Sequence, residues 1–411
     1  MPVEFHEQKL ANGLTVIAEC NGEAHTAAVG FYVKGGSRDE QKQVMGVSHF
    51  LEHMMFKGTA TRTADDVNRK FDEMGANYNA YTTQEMTAYY AQVLPEFLPR
   101  AVDLLGDMLR PALRDEDFEM EKNVILEEIG MYEDRPQWRL QDTIIETHFG
   151  EHPLSYRVLG TVESIKALTV DQMRGHFKSC YGPDNITVAA AGQIDFDRLM
   201  ADVGESSGDW EPAGHRRRYD QPSVASAQRT LGDPKLNRHY MAMICPGPSA
   251  QDERRYAAGV LSDVLGDADG SRLYWALIDP GLADEADFSH FSHDQAGSFF
   301  AFASCDPTRA EQVEQILLRT LDEYVDQIDA AEIERAKNKI ATSVTLAAEN
   351  PNGRMRGLGG QWTYLGRYVS LDEQLRLIMA VDVEQVRNLM ADMPFNPRTI
   401  VRLGPDGHGD E

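Results

Sequence analysis

His49-Phe50-Leu51-Glu52-His53 sets two imidazoles four residues apart, with a carboxylate directly before the second. On a helix, positions i, i+3 and i+4 stack on one side, so all three polar groups can share a face. That is the residue set a zinc hydrolase needs, with imidazoles to hold the metal and a carboxylate to take a proton from the water activated there. The order, glutamate immediately before the second histidine, inverts the commoner H-E-x-x-H arrangement of zinc enzymes. With about 100° per residue and His49 at zero, Glu52 falls at about 300° and His53 at about 40°. Val47, Phe50, Leu51, Met54 and Met55 fall between about 100° and 240° by the same rule. The helix therefore turns an apolar stripe inward and His49, Glu52 and His53 the other way.

A catalytic zinc takes three protein ligands plus water, so a third donor is needed. It is sought on the helix Phe118-Glu119-Met120-Glu121-Lys122-Asn123-Val124-Ile125-Leu126-Glu127-Glu128-Ile129. Its apolar stripe is Phe118, Ile125, Ile129 and Tyr132. Glu121 and Glu128 lie about 20° apart at the margin of that stripe, and Glu127 lies on the solvent side. A half-buried carboxylate needs a cation or hydrogen-bond donors; a metal would serve, and so would a salt-bridged helix edge. Two rival histidine pairs are weaker. His148 and His152 flank Gly150 and precede Pro153, which reads as a loop. His290 and His293 have helical spacing, but nothing nearby completes a site, so a surface or interface role is expected for them.

The elements that must position these groups are mixed. Strands are expected through Leu10 to Cys20, turning at Asn12-Gly13, and from Ala27 to Val33. The motif helix spans about Gly46 to Phe56, with Gly58 closing it. A helix from Asp65 to Met74 follows, then strands Asn79–Thr82 and Thr87–Val93, then helices near Leu98–Leu109, Asp115–Tyr132 and Thr169–Phe177, and a buried strand Ile186–Ala191. Residues 204–222, rich in Gly, Ser and Pro, read as a linker in which Arg216-Arg217-Arg218 is solvated. The second half opens with a strand from His239 to Ile244 and a helix from Asp252 to Leu265. A strand near Ser298 to Ala303 and long helices from Ala310 and Ala330 complete it. The fold class is α+β, in two mixed halves of similar size, 1–210 and 211–411. That parity suggests a diverged duplication, although no residue-level repeat supports it.

Composition narrows the function classes. The chain has 411 residues, 40 of them Lys or Arg against 66 Asp or Glu, for a net charge of -26. A surface this acidic repels phosphate backbones and anionic bilayers, so neither nucleic acid nor membrane is an expected partner. Cys20, Cys180, Cys245 and Cys305 form no C-x-x-C pair and read as free thiols in a reducing compartment. The first seven residues lack the basic-then-apolar pattern of a secretory signal, and no apolar run reaches the ~20 residues of a membrane span. The expected setting is the cytoplasm.

Taken together, His49 to Thr59, Asn79-Ala80-Tyr81-Thr82 with Thr87-Ala88-Tyr89-Tyr90, and Val124 to Ile129 resemble the pitrilysin/insulinase family of zinc peptidases. His152-Pro153 with Gly160-Thr161, and Gly270-Ser271-Arg272-Leu273-Tyr274, extend the likeness, which is strong to about residue 200 and weaker beyond. The resemblance implies that His49, His53 and Glu128 bind Zn2+ and that Glu52 is the general base for the zinc-held water. Glu121 would be the carboxylate behind the ligands, counted with Glu52 in the catalytic set. Asn79, Ala80 and Tyr81 would form a strand edge to which an extended peptide adds. It further implies two related domains forming half of a chamber, closed like a clamshell by a second, identical or related chain, with cleavage of unstructured peptides inside. One departure stands out. Where active members carry an arginine and, seven residues on, a tyrosine that hold the substrate, this chain has Leu277 and Asp284. Other groups, such as His290 or His293, or a partner subunit would then have to hold the peptide. The alternative reading is a zinc-bound, non-catalytic or partner-dependent peptide-binding subunit of a hetero-oligomer. A scaffold related to respiratory-complex core subunits is a third reading, disfavoured because His49, Glu52, His53 and Glu128 are all present.

Overall fold

The computed structural model describes residues 3–405; the outermost residues of the two expected halves, 1–2 and 406–411, lie outside the described residues. Contacts divide the chain into two compact units. One comprises residues up to Gly130, Tyr156–Arg218 and Leu346–Val369; the other comprises Met131–Ser155, Tyr219–Thr345 and the chain from Ser370. The sequence reading divides the chain once, between 210 and 211, whereas these units are discontinuous.

The first unit is built on strands β1 (Glu4–Lys9), β2 (Thr15–Cys20), β3 (Ala27–Val33), β4 (Asn77–Thr82), β5 (Thr87–Val93) and β6 (Ile186–Gly192). Their order is β1-β2-β6-β3-β5-β4, with β2 and β6 parallel and every other pair antiparallel. The β1–β2 turn uses Gly13 at φ +99, a left-handed value that glycine adopts without strain. The second unit holds β7 (Ala227–Gly232), β8 (His239–Pro246), β9 (Glu285–His293), β10 (Ala296–Cys305) and β11 (Thr399–Gly404), in the order β7-β11-β8-β10-β9. Here β7 and β11 are parallel and the rest antiparallel. Without β1, the two sheets share one topology: β2, β6, β3, β5, β4 correspond to β7, β11, β8, β10, β9. The duplication expected from the two halves is therefore present in strand order and direction.

The helices repeat as well. α1 (Val47–Met55) and α2 (Ala64–Glu73) precede β4. Between β5 and β6 run α3 (Leu98–Met108), α4 (Asp115–Glu133), α5 (Pro136–Phe149), α6 (Val162–Ala167) and α7 (Val170–Cys180), and α8 (Phe196–Ser207) follows β6. In the second half α9 (Arg255–Gly266) precedes β9. Between β10 and β11 run α10 (Ala310–Glu323), α11 (Ala330–Glu349), α12 (Pro351–Leu365), α13 (Leu371–Met379) and α14 (Val383–Asp392). The third helix of each five-helix crossover covers the sheet built from the other half of the sequence, and so belongs to that sheet's unit. Leu140, Ile144 and Phe149 of α5 pack with Ala242, Ile244, Val401 and Leu403, while Met355 and Leu358 of α12 pack with Ile17, Ala28, Tyr32 and Ala189.

α12 lies close to its sheet because glycines face it. A Cβ on Gly359 would sit 2.2 Å from the ring of Tyr32, which is itself buried. Beside that contact, Tyr32 Oη donates to Met355 Sδ at 3.1 Å, Arg354 forms a buried ion pair with Glu19, and Tyr368 Oη donates to Glu19 Oε1 at 2.6 Å. A buried pair of this kind costs desolvation energy and favours one docking geometry.

Several expectations change. His148 is not on a loop: it is buried on α5, with Nδ1 3.1 Å from Thr399 Oγ1, and Gly150 ends the helix rather than breaking it. His290 and His293 lie on a strand, β9, not a helix. α8 runs through Gly204 to Ser207, so the irregular segment starts later than expected. Arg217 is not solvated. It donates from Nε and Nη2 to Asp39 Oδ1 and Oδ2 at 2.9 and 2.7 Å, and to the Glu85 carbonyl. Asp39 also faces His215 Nε2 at 3.5 Å, and His215 Nδ1 lies 3.7 Å from Cys180 Sγ. Burial opposes ionisation of both acids, but Arg217 and His215 hold Asp39 down at about 2, and His176 and His215 bring the Cys180 thiol down to about 6. Cys180, Cys245 and Cys305 are buried free thiols, as read from the sequence, and Cys20 is half-buried.

The close approach of α12 gives a direct test. Gly359→Ala overpacks the Tyr32 contact and should lower stability by about 1–3 kcal/mol. Gly360→Ala, where an added Cβ meets nothing within 4 Å, should raise it by up to about 1 kcal/mol through helix propensity. Equal melting temperatures for the two variants would contradict this packing.

Candidate metal centre and active site

α1 starts where Gly46, at φ +94, turns the chain against Leu159 and Gly160, too close for any side chain there. Its first amides are not capped by an adjacent residue. Glu40 accepts from the Gly46 and Ser48 amides, both at 2.7 Å, as a negative group at the positive end of the helix. Burial pushes the Glu40 carboxyl up to about 7, against His176 and the amide hydrogen bonds. Ser48 Oγ meets His176 Nε2 at 3.1 Å. The apolar stripe of α1 is buried as the spacing predicts, and Phe50 stacks on Phe118 of α4 at 4.7 Å between ring centroids. Arg114, just before α4, donates to the carbonyls of Lys57 and Thr59 at 3.2 and 2.9 Å. These contacts fix the register between the helix that carries the histidines and the helix that carries the carboxylates.

That register brings His49, His53 and Glu128 together, with one potential ligand atom from each all within 4.8 Å of one another. Glu128 Oε2 lies 3.6 Å from His53 Nε2 and 3.9 Å from His49 Nε2. Ligands about 2.0–2.1 Å from a tetrahedral zinc are spaced by about 3.4 Å, so the donors stand slightly wider than a bound ion would hold them. Glu121 does not join this group. Its Oε1 is 2.7 Å from His53 Nδ1, and its Oε2 pairs with Lys57 Nζ at 2.5 Å. A carboxylate on the far nitrogen fixes the tautomer, so that Nε2 of His53 presents its lone pair. The two glutamates that helix geometry left as alternatives therefore divide the work, one on each nitrogen of the same imidazole.

The electrostatics fit a cation. Burial pushes His49 down to about 3, aided by His53, so its imidazole is neutral and able to ligate. Burial also opposes charge on His53, but Glu121 outweighs it and moves His53 up. Glu128 is raised by burial against the pull of His53, and Glu121 is lowered because His53 and Lys57 outweigh its burial. His49 Nδ1 is buried with no hydrogen-bond partner among the described residues. A half-buried carboxylate and two imidazoles, with their ligating atoms crowded together, are a donor set that suits a divalent metal.

Glu52 stands beside this group. Burial raises its pKa, against a hydrogen bond from Thr82 Oγ1 to Oε2 at 2.5 Å. Thr82 is the last residue of β4, the edge strand of its sheet, and Asn79, Ala80 and Tyr81 precede it on that strand. The sequence reading missed Thr82 and Lys57. Helical spacing places Lys57 with His53, and strand alternation places Thr82 with Ala80, but neither pattern names the partner. In the second unit Leu277 is fully buried in the core, and Asp284 pairs with Arg238 at 3.0 Å. Arg272 is engaged by Glu332 and Gln327, and His290 Nε2 meets the Pro248 carbonyl at 2.8 Å.

The profile described as Insulinase (Peptidase family M16) matches residues 15–162, and the one described as Peptidase M16 inactive domain matches 167–340. An uncharacterized zinc protease of Bacillus subtilis is 32% identical, over 97% of each chain. An uncharacterized zinc protease of Streptomyces coelicolor is 34% identical, over 96% of this chain and 88% of its own. The crystal structure of a protease from Helicobacter pylori superposes with a TM-score of 0.91 over 98% of this chain and all of its own, at 19% identity, which is a likeness of fold. Among the described residues no helix is long and apolar enough to cross a membrane. The chain is a member of peptidase family M16, the insulinase family.

Proposed function

We propose that this protein is a zinc-dependent endopeptidase that hydrolyses unstructured peptides. The observation that carries the reading is the placement of Glu52 between the His49–His53–Glu128 donor group and the end of edge strand β4. His49, His53 and Glu128 would hold the metal, which supplies a Lewis acid that lets water lose a proton near neutral pH. Glu121 orients His53 from behind. Glu52, anchored at one oxygen by Thr82, takes the proton of the attacking water and delivers it to the leaving amine. β4 has a partner, β5, on one side only. An extended peptide can add to its outer side by main-chain hydrogen bonds, with Asn79, Ala80 and Tyr81 lining it, and run toward Thr82. Recognition through the main chain favours substrates that are already unfolded. The family resemblance supports a chamber closed by a second chain, identical or related, and the unpaired thiols fit a cytoplasmic setting.

A second reading is favoured by one observation. Leu277 is packed in a core and Asp284 is held by Arg238, so neither offers the substrate clamp of active relatives. On that reading the chain binds zinc and peptide but cleaves only with a partner subunit, or not at all.

Three outcomes are expected. Glu52→Gln should keep stoichiometric zinc by elemental analysis and lose at least about 100-fold in peptide cleavage, the usual contribution of a general base; undiminished turnover would refute the role. Glu121→Gln should weaken zinc binding about 10–100-fold in competition with a chelator, while Glu127→Gln leaves it unchanged. The purified zinc-loaded chain should by itself cut a mixed peptide library read by mass spectrometry. Cleavage seen only after a related chain is added would establish the second reading instead.

A further inference from the structure

Arg356 is exposed on α12. Its guanidinium lies 5.4 Å from the ring centroid of Tyr81 and 5.6 Å from that of Tyr90. Among the described residues no carboxylate pairs with it, in a chain with 66 acidic residues against 40 basic ones. Its neighbours on the helix are spoken for, Arg354 by Glu19 and Met355 by Tyr32. The guanidinium also hydrogen-bonds the Tyr81 hydroxyl, which anchors it, and a planar fork of five N–H donors leaves others to match a carboxylate.

The position of Arg356 on the sheet gives the cation a use. Ala80 belongs to the core on the α1 face of the sheet, whereas Tyr81 packs with Tyr32, Met86 and Tyr90 on the α12 face. Thr82, two residues from Ala80, returns to the α1 face and reaches Glu52. Side chains of any strand added to β4 alternate in the same way, about 3.4 Å apart. A peptide whose main chain passes Thr82 therefore turns one side chain toward the face of Glu52 and the next toward Arg356.

We propose that Arg356 is a specificity-determining residue that binds a peptide carboxylate, from an acidic side chain or a free C-terminus, within about two residues of the cleaved bond. This rests on the peptidase reading above. The strongly acidic surface repels anionic peptides at long range, so a local cation at the strand edge decides whether a carboxylate is accepted there. The guanidinium keeps its charge at every working pH, and the selection is correspondingly insensitive to pH.

The test uses the zinc-loaded full chain and flexible, internally quenched peptides in which one Glu is walked past the cleavage point, each matched with its Gln counterpart, with free and amidated C-termini. For the wild type, kcat/KM should favour Glu over Gln roughly fivefold at one position, the scale of a partly exposed ion pair. Arg356→Gln should bring that ratio to one, Arg356→Lys should keep part of it, and Arg356→Glu should invert it in favour of Gln, with thermal melts confirming folding of each. A preference that survives C-terminal amidation assigns the carboxylate to a side chain; one that amidation abolishes assigns it to the terminus. The same peptides are titrated against Glu52→Gln protein, with and without the Arg356 substitutions, by fluorescence anisotropy. Hydrolysis with a Glu-to-Gln ratio unchanged by Arg356→Gln at every position overturns this inference and leaves the peptidase assignment standing. Carboxylate-selective binding that depends on Arg356, without hydrolysis by the wild type, overturns the peptidase assignment alone. Absence of both binding and hydrolysis overturns both.

Discussion

His53 lies between two carboxylates of one helix, with Glu121 on Nδ1 and Glu128 facing Nε2, and the packing of the first unit follows from what this requires. Both glutamates must reach the same ring from positions seven residues apart on α4, so α1 can cross α4 in one register only. The Phe50–Phe118 stack and the anchoring of Arg114 on the carbonyls after α1 hold that register from either side of the donor group. Glu40 caps the other end of α1 from a buried position. A carboxylate raised toward neutrality by burial is an expensive cap, and its retention fits a helix whose start must not drift.

The two units share strand order, strand direction and a five-helix crossover, yet among the described residues only the first carries a candidate metal-donor group. In the second unit α9 occupies the topological place of the motif helix and presents Ala257, Ala258, Val260, Leu261, Val264 and Leu265 to the core. No imidazole or carboxylate pair interrupts that packing. The profile that matches this part of the chain is described as an inactive domain, in keeping with a copy that kept the scaffold and lost the donors. Polar groups at a site cost stability in desolvation and crowding, and a copy relieved of them can close its core with apolar side chains such as Leu277.

Much of the site was legible because its logic is local. The faces of α1 and α4 follow from the periodicity of Phe50, Leu51, Met54 and Met55, and of Phe118, Ile125 and Ile129, and this periodicity separated Glu121 and Glu128 from Glu127. Strands β3 and β6 were legible as short, bounded β-rich runs. What escaped depends on partners far away in the chain. Arg217 reads as one charge in a basic run until Asp39 and Glu85 are brought beside it. His148 reads as part of a loop because Gly150 and Pro153 follow, although Gly150 merely ends α5 and Pro153 opens a short turn beyond it. α12 carries Gly353, Gly357, Gly359 and Gly360, a composition that argues against a helix until Tyr32 is found pressed against Gly359. The topological repeat has no counterpart in residue identity, since packing constrains volume and polarity more than residue type.

The exchanged helices also set an order of assembly during synthesis. α5 is made before any strand of the sheet it covers, so it has to wait for its sheet. The first sheet waits for its helix: β6 ends at Gly192, but the face that includes Ile17, Ala28, Tyr32 and Ala189 stays uncovered until α12 emerges. At ordinary elongation rates that interval is on the order of ten seconds, long enough for an exposed apolar sheet face to attract other chains or a chaperone. A nascent chain interrupted before Leu346 would hold every candidate metal ligand and still lack the layer that closes its first unit. Completion of that unit is thereby tied to synthesis of most of the second half.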